Sequence, residues 1–182
     1  MTAIIIIGVL ALLVLWVIGV QRKLVEQEEF VKNAMSQIGV QQNSRWDALT
    51  ALVELVKGYN EHEYNTLKDV IAMRKPITGS STAADVEAQE AKLGEALKQI
   101  NLVVERYPEL KANEMFNKTM DSVNVYENQV RTARMVYNDS VTKYNKVIRQ
   151  IPENIVAALF HFTAKDYLTV EDKKAEMPSM KV

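Results

Sequence analysis

The run AIIIIGVLALLVLWVIGV, Ala3 to Val20, contains no charged side chain. A chain with such a run must bury it in a core or place it in lipid. As a helix it reaches about 27 Å, close to the hydrocarbon thickness of a bilayer. The run therefore predicts a membrane-spanning helix marked by Ala3, Ile7, Leu12, Trp16 and Val20, with the lipid bilayer as the first expected partner.

A secretory signal peptide is the competing interpretation. Such peptides open on a positive segment and end at a small-x-small cleavage site after a shorter apolar stretch. Met1-Thr2 supplies no basic side chain, and the first cations, Arg22 and Lys23, follow the run. Positive charge on the far side predicts an uncleaved single-pass anchor, N-terminus outside and C-terminal domain in the cytoplasm.

The chain beyond the anchor is long enough for one domain: there are 182 residues in all, of which 48% are hydrophobic and 25% charged. With 22 basic and 23 acidic residues it lacks the cationic surplus that nucleic-acid binding requires, so no nucleic acid is expected. Cysteine is absent, which removes disulfides, thiolate metal sites and cysteine nucleophiles.

The periodicity beyond residue 20 is helical. From Gln21 to Lys75 there is no proline, and Phe30, Val31, Ala34, Met35 and Ile38, then Trp46, Leu49, Leu52, Val53 and Val56, recur at spacings of three and four. This predicts one long rod continuous with the anchor, with Gly39 and Gly58 as places to bend. KPITGSST, Lys75 to Thr82, is a loop. A second helix carries Leu93, Ala96, Leu97, Ile100, Val103, Val104 and Tyr107 and stops at Pro108. A third runs from about Glu114 to Ile151, and Pro152 opens a short fourth, Glu153 to His161. The expected architecture is all-α: a transmembrane helix (1–23), an up-and-down antiparallel four-helix bundle (24–165) and a polar tail (166–182).

Within the third helix the dipeptide Tyr-Asn occurs twice, at Tyr137-Asn138 and Tyr144-Asn145. The heptad spacing, shared by Val130 and Ile151, sets both tyrosines on one bundle seam, and each asparagine follows one position round it. Packed tyrosines flanked by interhelical amide contacts are the expectation, with a small-molecule pocket between helices as the alternative.

The block YNDSVTKYN followed by Ile151-Pro152-Glu153-Asn154-Ile155 resembles the C-terminal signature of the LemA family of bacterial membrane-anchored proteins. Ser36-Gln37-Ile38, Arg45-x-Asp47, and Val56-Lys57-Gly58-Tyr59 with His62-Glu63 are similar to that family's A-W-S-Q-I-D-V, R-x-D-L-I-P and V-K-G-Y-x-x-H-E patterns. Glu105 to Asn113, with Tyr107-Pro108, matches its E-x-Y-P-x-L-K-A-N. Met35, Gly39 and Thr50 stand where the family usually has Trp, Asp and Pro. The resemblance implies a bacterial cytoplasmic-membrane protein, an anchored helical bundle, and no established reaction or cofactor.

Catalysis is not expected from the residues either. Glu61-His62-Glu63 cannot converge on one metal, since consecutive helical residues diverge by about 100°, and neither histidine has a glutamate three residues before it. Glu63 is expected to find a cation such as Arg45 or Arg74 if the fold brings them together. Arg131, Arg134, Glu127 and Asp139 read as a solvated face or interhelical pairs. The interaction or packing signature is thus Arg45, Tyr59, His62, Glu63, Tyr107, Pro108, Tyr137, Asn138, Tyr144, Asn145 and Pro152. The expected role is a non-enzymatic scaffold that self-associates and contacts the bilayer and other membrane proteins; a ligand-sensing module is the alternative. The tail from Lys165 onward is expected to reach a neighbouring copy or stay disordered.

Overall fold

The computed structural model describes residues 1–169, and all of their regular structure is helical. Helix α1, Thr2–Lys57, is unbroken for 56 residues, a length of about 84 Å. Its apolar first third, of mean hydropathy 3.1, is long enough to cross a membrane and stands clear of the rest of the fold. From Val20 onward the same helix becomes one-sided, burying Val31, Ala34, Met35 and Ile38, then Leu49, Leu52, Val53 and Val56.

The rod expected from Gln21 to Lys75 is two helices. Gly58 closes α1, Asn60 adopts an extended conformation, and α2 runs Glu61–Ile71. The Asn60 Oδ1 accepts the backbone N–H groups of His62 and Glu63 at 2.8 and 3.2 Å. That N-cap satisfies donors a continuing helix would have bonded, and with Gly58 before it the chain folds back. Helix α3, Ala83–Arg106, opens on a capping box formed by Thr82 and Asp85. The turn after it is a helix too, α4, Pro108–Ala112, with Pro108 at its first position. Helix α5, Glu114–Arg149, is capped by the Asn113 side chain, and α6, Glu153–Leu159, comes next with Pro152 as its N-cap residue.

Helix α5 is the principal partner of α1 and runs antiparallel to it. Three clusters of buried side chains lie in series along the pair. Beside the apolar span, Val20 and Leu24 meet Val147, Val156 and Ala157. In the middle, Val31, Met35 and Ile38 meet Tyr137, Val141 and Tyr144. At the far end, Trp46, Leu49 and Leu52 meet Leu67, Leu93, Ile100, Leu110, Phe116 and Val123. Helices α2, α3 and α4 therefore thicken only the distal half. The expected all-helical class holds, with long α1, α3 and α5 and short α6, but the described residues form six helices, α2 and α4 being additional to the four expected.

Helix α1 is unbroken at Gly39. A Cβ there would overlap the Ile77 carbonyl oxygen. The glycine lets the α2–α3 connection cross the helix in contact and seat Ile77 in the middle cluster. Thr50 sits mid-helix, its hydroxyl bonded back to the Trp46 carbonyl at 2.9 Å.

After α6 the chain reverses at His161, whose φ is 59°. The last two residues expected in that helix, Phe160 and His161, lie outside it. Residues 163–169 then run without helical structure back along α5 as a strap, and they are not a free tail. The remainder of the expected tail, 170–182, lies outside the described residues.

Candidate functional site

The Tyr-Asn repeat meets the strap. The Asn145 side chain donates to the Lys165 carbonyl at 2.9 Å and accepts the Lys165 N–H at 3.0 Å. One heptad earlier, Asn138 does the same to Leu168, both bonds at 2.9 Å. The tyrosines repeat the pattern: the Tyr144 hydroxyl donates to the Thr163 carbonyl at 2.9 Å and the Tyr137 hydroxyl to that of Asp166 at 3.1 Å.

The register has a geometric origin. Seven helical residues rise about 10.5 Å, and three extended residues span about 10 Å. A Tyr-Asn pair at each heptad therefore meets the same backbone groups of an extended chain every third residue, antiparallel to α5. The expected bundle-seam position of the tyrosines explains their rings; their hydroxyls, and both amides, serve the strap and not a neighbouring helix.

Because these bonds go to backbone atoms, side-chain selectivity comes from the strap's flanks. Leu168 is 2% exposed and completes the middle cluster. Lys165 reaches across to α1, its Nζ 2.9 Å from a Glu28 carboxylate oxygen and 5.8 Å from the centre of the Tyr144 ring. At the distal end, Arg134 donates to the Thr169 carbonyl at 2.7 Å, and Glu87 of α3 accepts from the Thr169 N–H and hydroxyl and from Arg134. The strap thus ties α1, α3 and α5 together.

The electrostatics follow the geometry. Burial, with the Glu28 charge as a lesser cause, pushes the Tyr144 hydroxyl up to about 12. Burial likewise raises Tyr137, aided by Asp166. The hydrogen bond from Lys165 holds Glu28 below the usual carboxylate range. Burial of Glu87 acts upward, but its bonds from Thr169 and Arg134 together hold it low.

The other expected residues gather elsewhere. Tyr59, His62, Glu63, Tyr107 and Pro108 lie at the distal joint, where Asn60 donates to the Tyr107 hydroxyl at 2.6 Å and Asn113 to that of Tyr59 at 3.2 Å. Glu63 pairs with Arg106, not with Arg45 or Arg74; the latter meets Asp47 at 2.6 Å. His62 is exposed. Pro152 is at the opposite end, preceding α6. The signature is therefore spread over four places: the strap groove, the distal joint, the start of α6 and Arg45.

Arg45 sits between the joint and the strap, 5% exposed and bonded to Glu90 at 3.0 Å and Glu127 at 3.3 Å. Gln42 donates to the same Glu90 at 2.7 Å. A cleft of about 660 Å³ between α3 and α5 is lined by Arg45, Glu87, Glu90, Glu127, Arg131 and Arg134. The Tyr-Asn residues do not line it, so a pocket built on them is replaced by the strap groove. Among the described residues no group of three or more His, Asp or Glu could hold a metal ion.

Sequence reasoning missed the strap, together with Glu28, Glu87 and Glu90, which bind it or the arginine beneath. The local signal was slight, Tyr167 and Leu168 in an otherwise polar stretch.

The LemA family model matches residues 34–182. Among curated proteins, Protein LemA of Metamycoplasma hominis is 23% identical over 144 residues, covering 77% of this chain and 64% of that protein. The chain thus spans under two thirds of the length of that relative. A match from Ala34 onward takes in the strap groove, the buried arginine and the distal joint, and this chain belongs to the LemA family.

Proposed function

We propose that this chain is a non-enzymatic, single-pass protein of the bacterial cytoplasmic membrane, with its N-terminus outside, whose bundle self-associates as a scaffold. The observation that carries this reading is the strap groove: the signature's polar groups are committed to ordering the chain's own C-terminal segment. The product is a stiff mast, one helix leading from the apolar span into a bundle locked by its strap. Copies anchored this way share a plane and an orientation, so weak side contacts act at high effective concentration. Ring, cage or lateral-array assembly results where those contacts repeat.

Crosslinking in native membranes, paired with electron microscopy of detergent-extracted protein, tests the assembly. A ladder of crosslinked species and large particles is expected; single copies at high protein concentration would end it. Orientation is tested with cysteines at Thr2 and Ser80 and an impermeant thiol reagent. Labelling of the Thr2 site in intact cells is expected, and labelling of the Ser80 site alone would reverse the orientation.

One observation favours a second reading, a ligand-binding module. The α3–α5 cleft has the volume of a small-molecule site, and both Arg45 Nε and Gln42 Oε1 are buried without a partner among the described residues. Mass spectrometry of the gently extracted protein for co-purified small molecules distinguishes the two.

A further inference from the structure

Helix α6 has two apolar faces, and only one is used. Val156 and Ala157 are buried against Val20 and Leu24 of α1, with Val17 packed beside them. On the opposite face Ile155 and Leu159, one turn apart, are each 65% exposed; Ile151 before the helix is 83% exposed and Phe160 after it 47%. Four large apolar side chains side by side in water would be costly for a helix of this length.

Position supplies the missing partner. Val17 and Val20 belong to the apolar run, and Arg22 and Lys23 come directly after it. A helix packed on Val17, Val20 and Leu24 lies level with the end of that run, within about 10 Å along the axis of α1. Charge agrees with the depth. Arg22 and Lys23, on α1 directly after the run, and Lys146 and Arg149, in the last turn of α5 directly before α6, are all exposed at this level, and Glu153 is the one carboxylate of α6. Apolar side chains at the same level as these cations match an acyl boundary beneath anionic headgroups.

We propose that α6 is an interfacial helix that lays Ile151, Ile155, Leu159 and Phe160 into the bilayer surface beside the span, with Arg22, Lys23, Lys146 and Arg149 on lipid phosphates. The bilayer then contacts the fold at two places, the span and α6, which fixes the tilt of the bundle. This inference rests on the membrane-anchoring reading of α1 and not on self-association.

The chain has no cysteine, so single nitroxide labels are unambiguous. The full chain is reconstituted in phosphatidylethanolamine and phosphatidylglycerol vesicles with a label at Ile155→Cys or, separately, Leu159→Cys. Leu12→Cys reports on the span and Ser80→Cys on water. Collision with oxygen and with a water-soluble nickel chelate is then compared. Both α6 labels are expected to meet oxygen far more than nickel, at a shallower depth than Leu12→Cys. Nickel access like that of Ser80→Cys, with Leu12→Cys still in lipid, would overturn the proposal and leave the anchor standing. Nickel access at Leu12→Cys as well would sink both. Shielding of the α6 labels from both reagents would mean that a second copy or residues 170–182 cover the face, which also overturns it.

Discussion

Asn145 of α5 holds Lys165 of the strap by both of its backbone groups, at 2.9 and 3.0 Å. Asn145 is 4% exposed, so its amide has no ready exchange with water. Replacing it with alanine removes both bonds, each worth about 1 kcal/mol net. The loss is limited because a released strap regains water, so Asn145→Ala should cost about 1–2 kcal/mol in denaturant unfolding of the full chain. Asn145→Asp should not rescue it: the acceptor for Lys165 N–H is kept, but a carboxylate then faces the Lys165 carbonyl.

The strap is sensitive to pH at both ends of the scale. Tyr144 is raised to about 12 in the fold by burial, against about 10 in an unfolded chain. The folded state therefore keeps a proton that the unfolded chain has released, and this contribution is present below pH 10 and lost as pH rises towards 12. Glu28 shifts the other way, held low by Lys165. Its contribution is present above the ordinary value of 4.5 and disappears as pH falls through the depressed one. A fluorophore on Tyr167→Cys, half exposed in the strap, should gain mobility in both ranges, and Glu28→Gln should reduce the acid response to the part that Glu87, held low by Thr169 and Arg134, supplies.

Arg45 distinguishes a buried charge from buried volume. Arg45→Ala removes the cation from Glu90 and Glu127, both partly exposed, and should cost about 2 kcal/mol, the range for hydrogen bonds to charged groups. Arg45→Met fills the same space but leaves the Glu90 charge with Gln42 as its one donor, so the double variant Arg45→Met/Glu90→Gln should recover most of the loss. Denaturant midpoints of the three variants provide the check.

Gly39→Ala should destabilise by about 1–3 kcal/mol, the range for overpacking. The added Cβ meets backbone, the Ile77 carbonyl, which cannot step aside as a side chain would. Proteolytic cutting of the α2–α3 connection should rise with it. Gly94→Ala, with nothing within 4 Å of the new atom, is the matched control and should be neutral or stabilising.

The parts legible in the sequence were those with local causes. The apolar run, the breaks at Pro76 and Pro108, and the heptad seam through Tyr137 and Tyr144 arise from periodicity and chain stereochemistry. Asn60 was legible in principle as a cap, but its signal sits inside a run of apolar spacing that continues on both sides. Gly39 reads as a bend because its reason, Ile77, is remote in sequence. The strap was least legible: six of its seven residues are not fully buried, and its bonds use backbone atoms that no side-chain pattern announces. Ion pairs such as Glu63–Arg106 and Arg45–Glu90 join separate helices, so only the fold selects each partner.

Residue-resolved hydrogen exchange of the full chain, at the amides of Lys165 and Leu168, tests most directly that the Tyr-Asn repeat is a strap clamp. Both N–H groups end on asparagine side chains. The account predicts slow exchange at both in the wild type, with Asn145→Ala accelerating Lys165 most and Asn138→Ala accelerating Leu168 most. Exchange at both sites as fast as in an unfolded chain, with the α5 amides still protected, would contradict it.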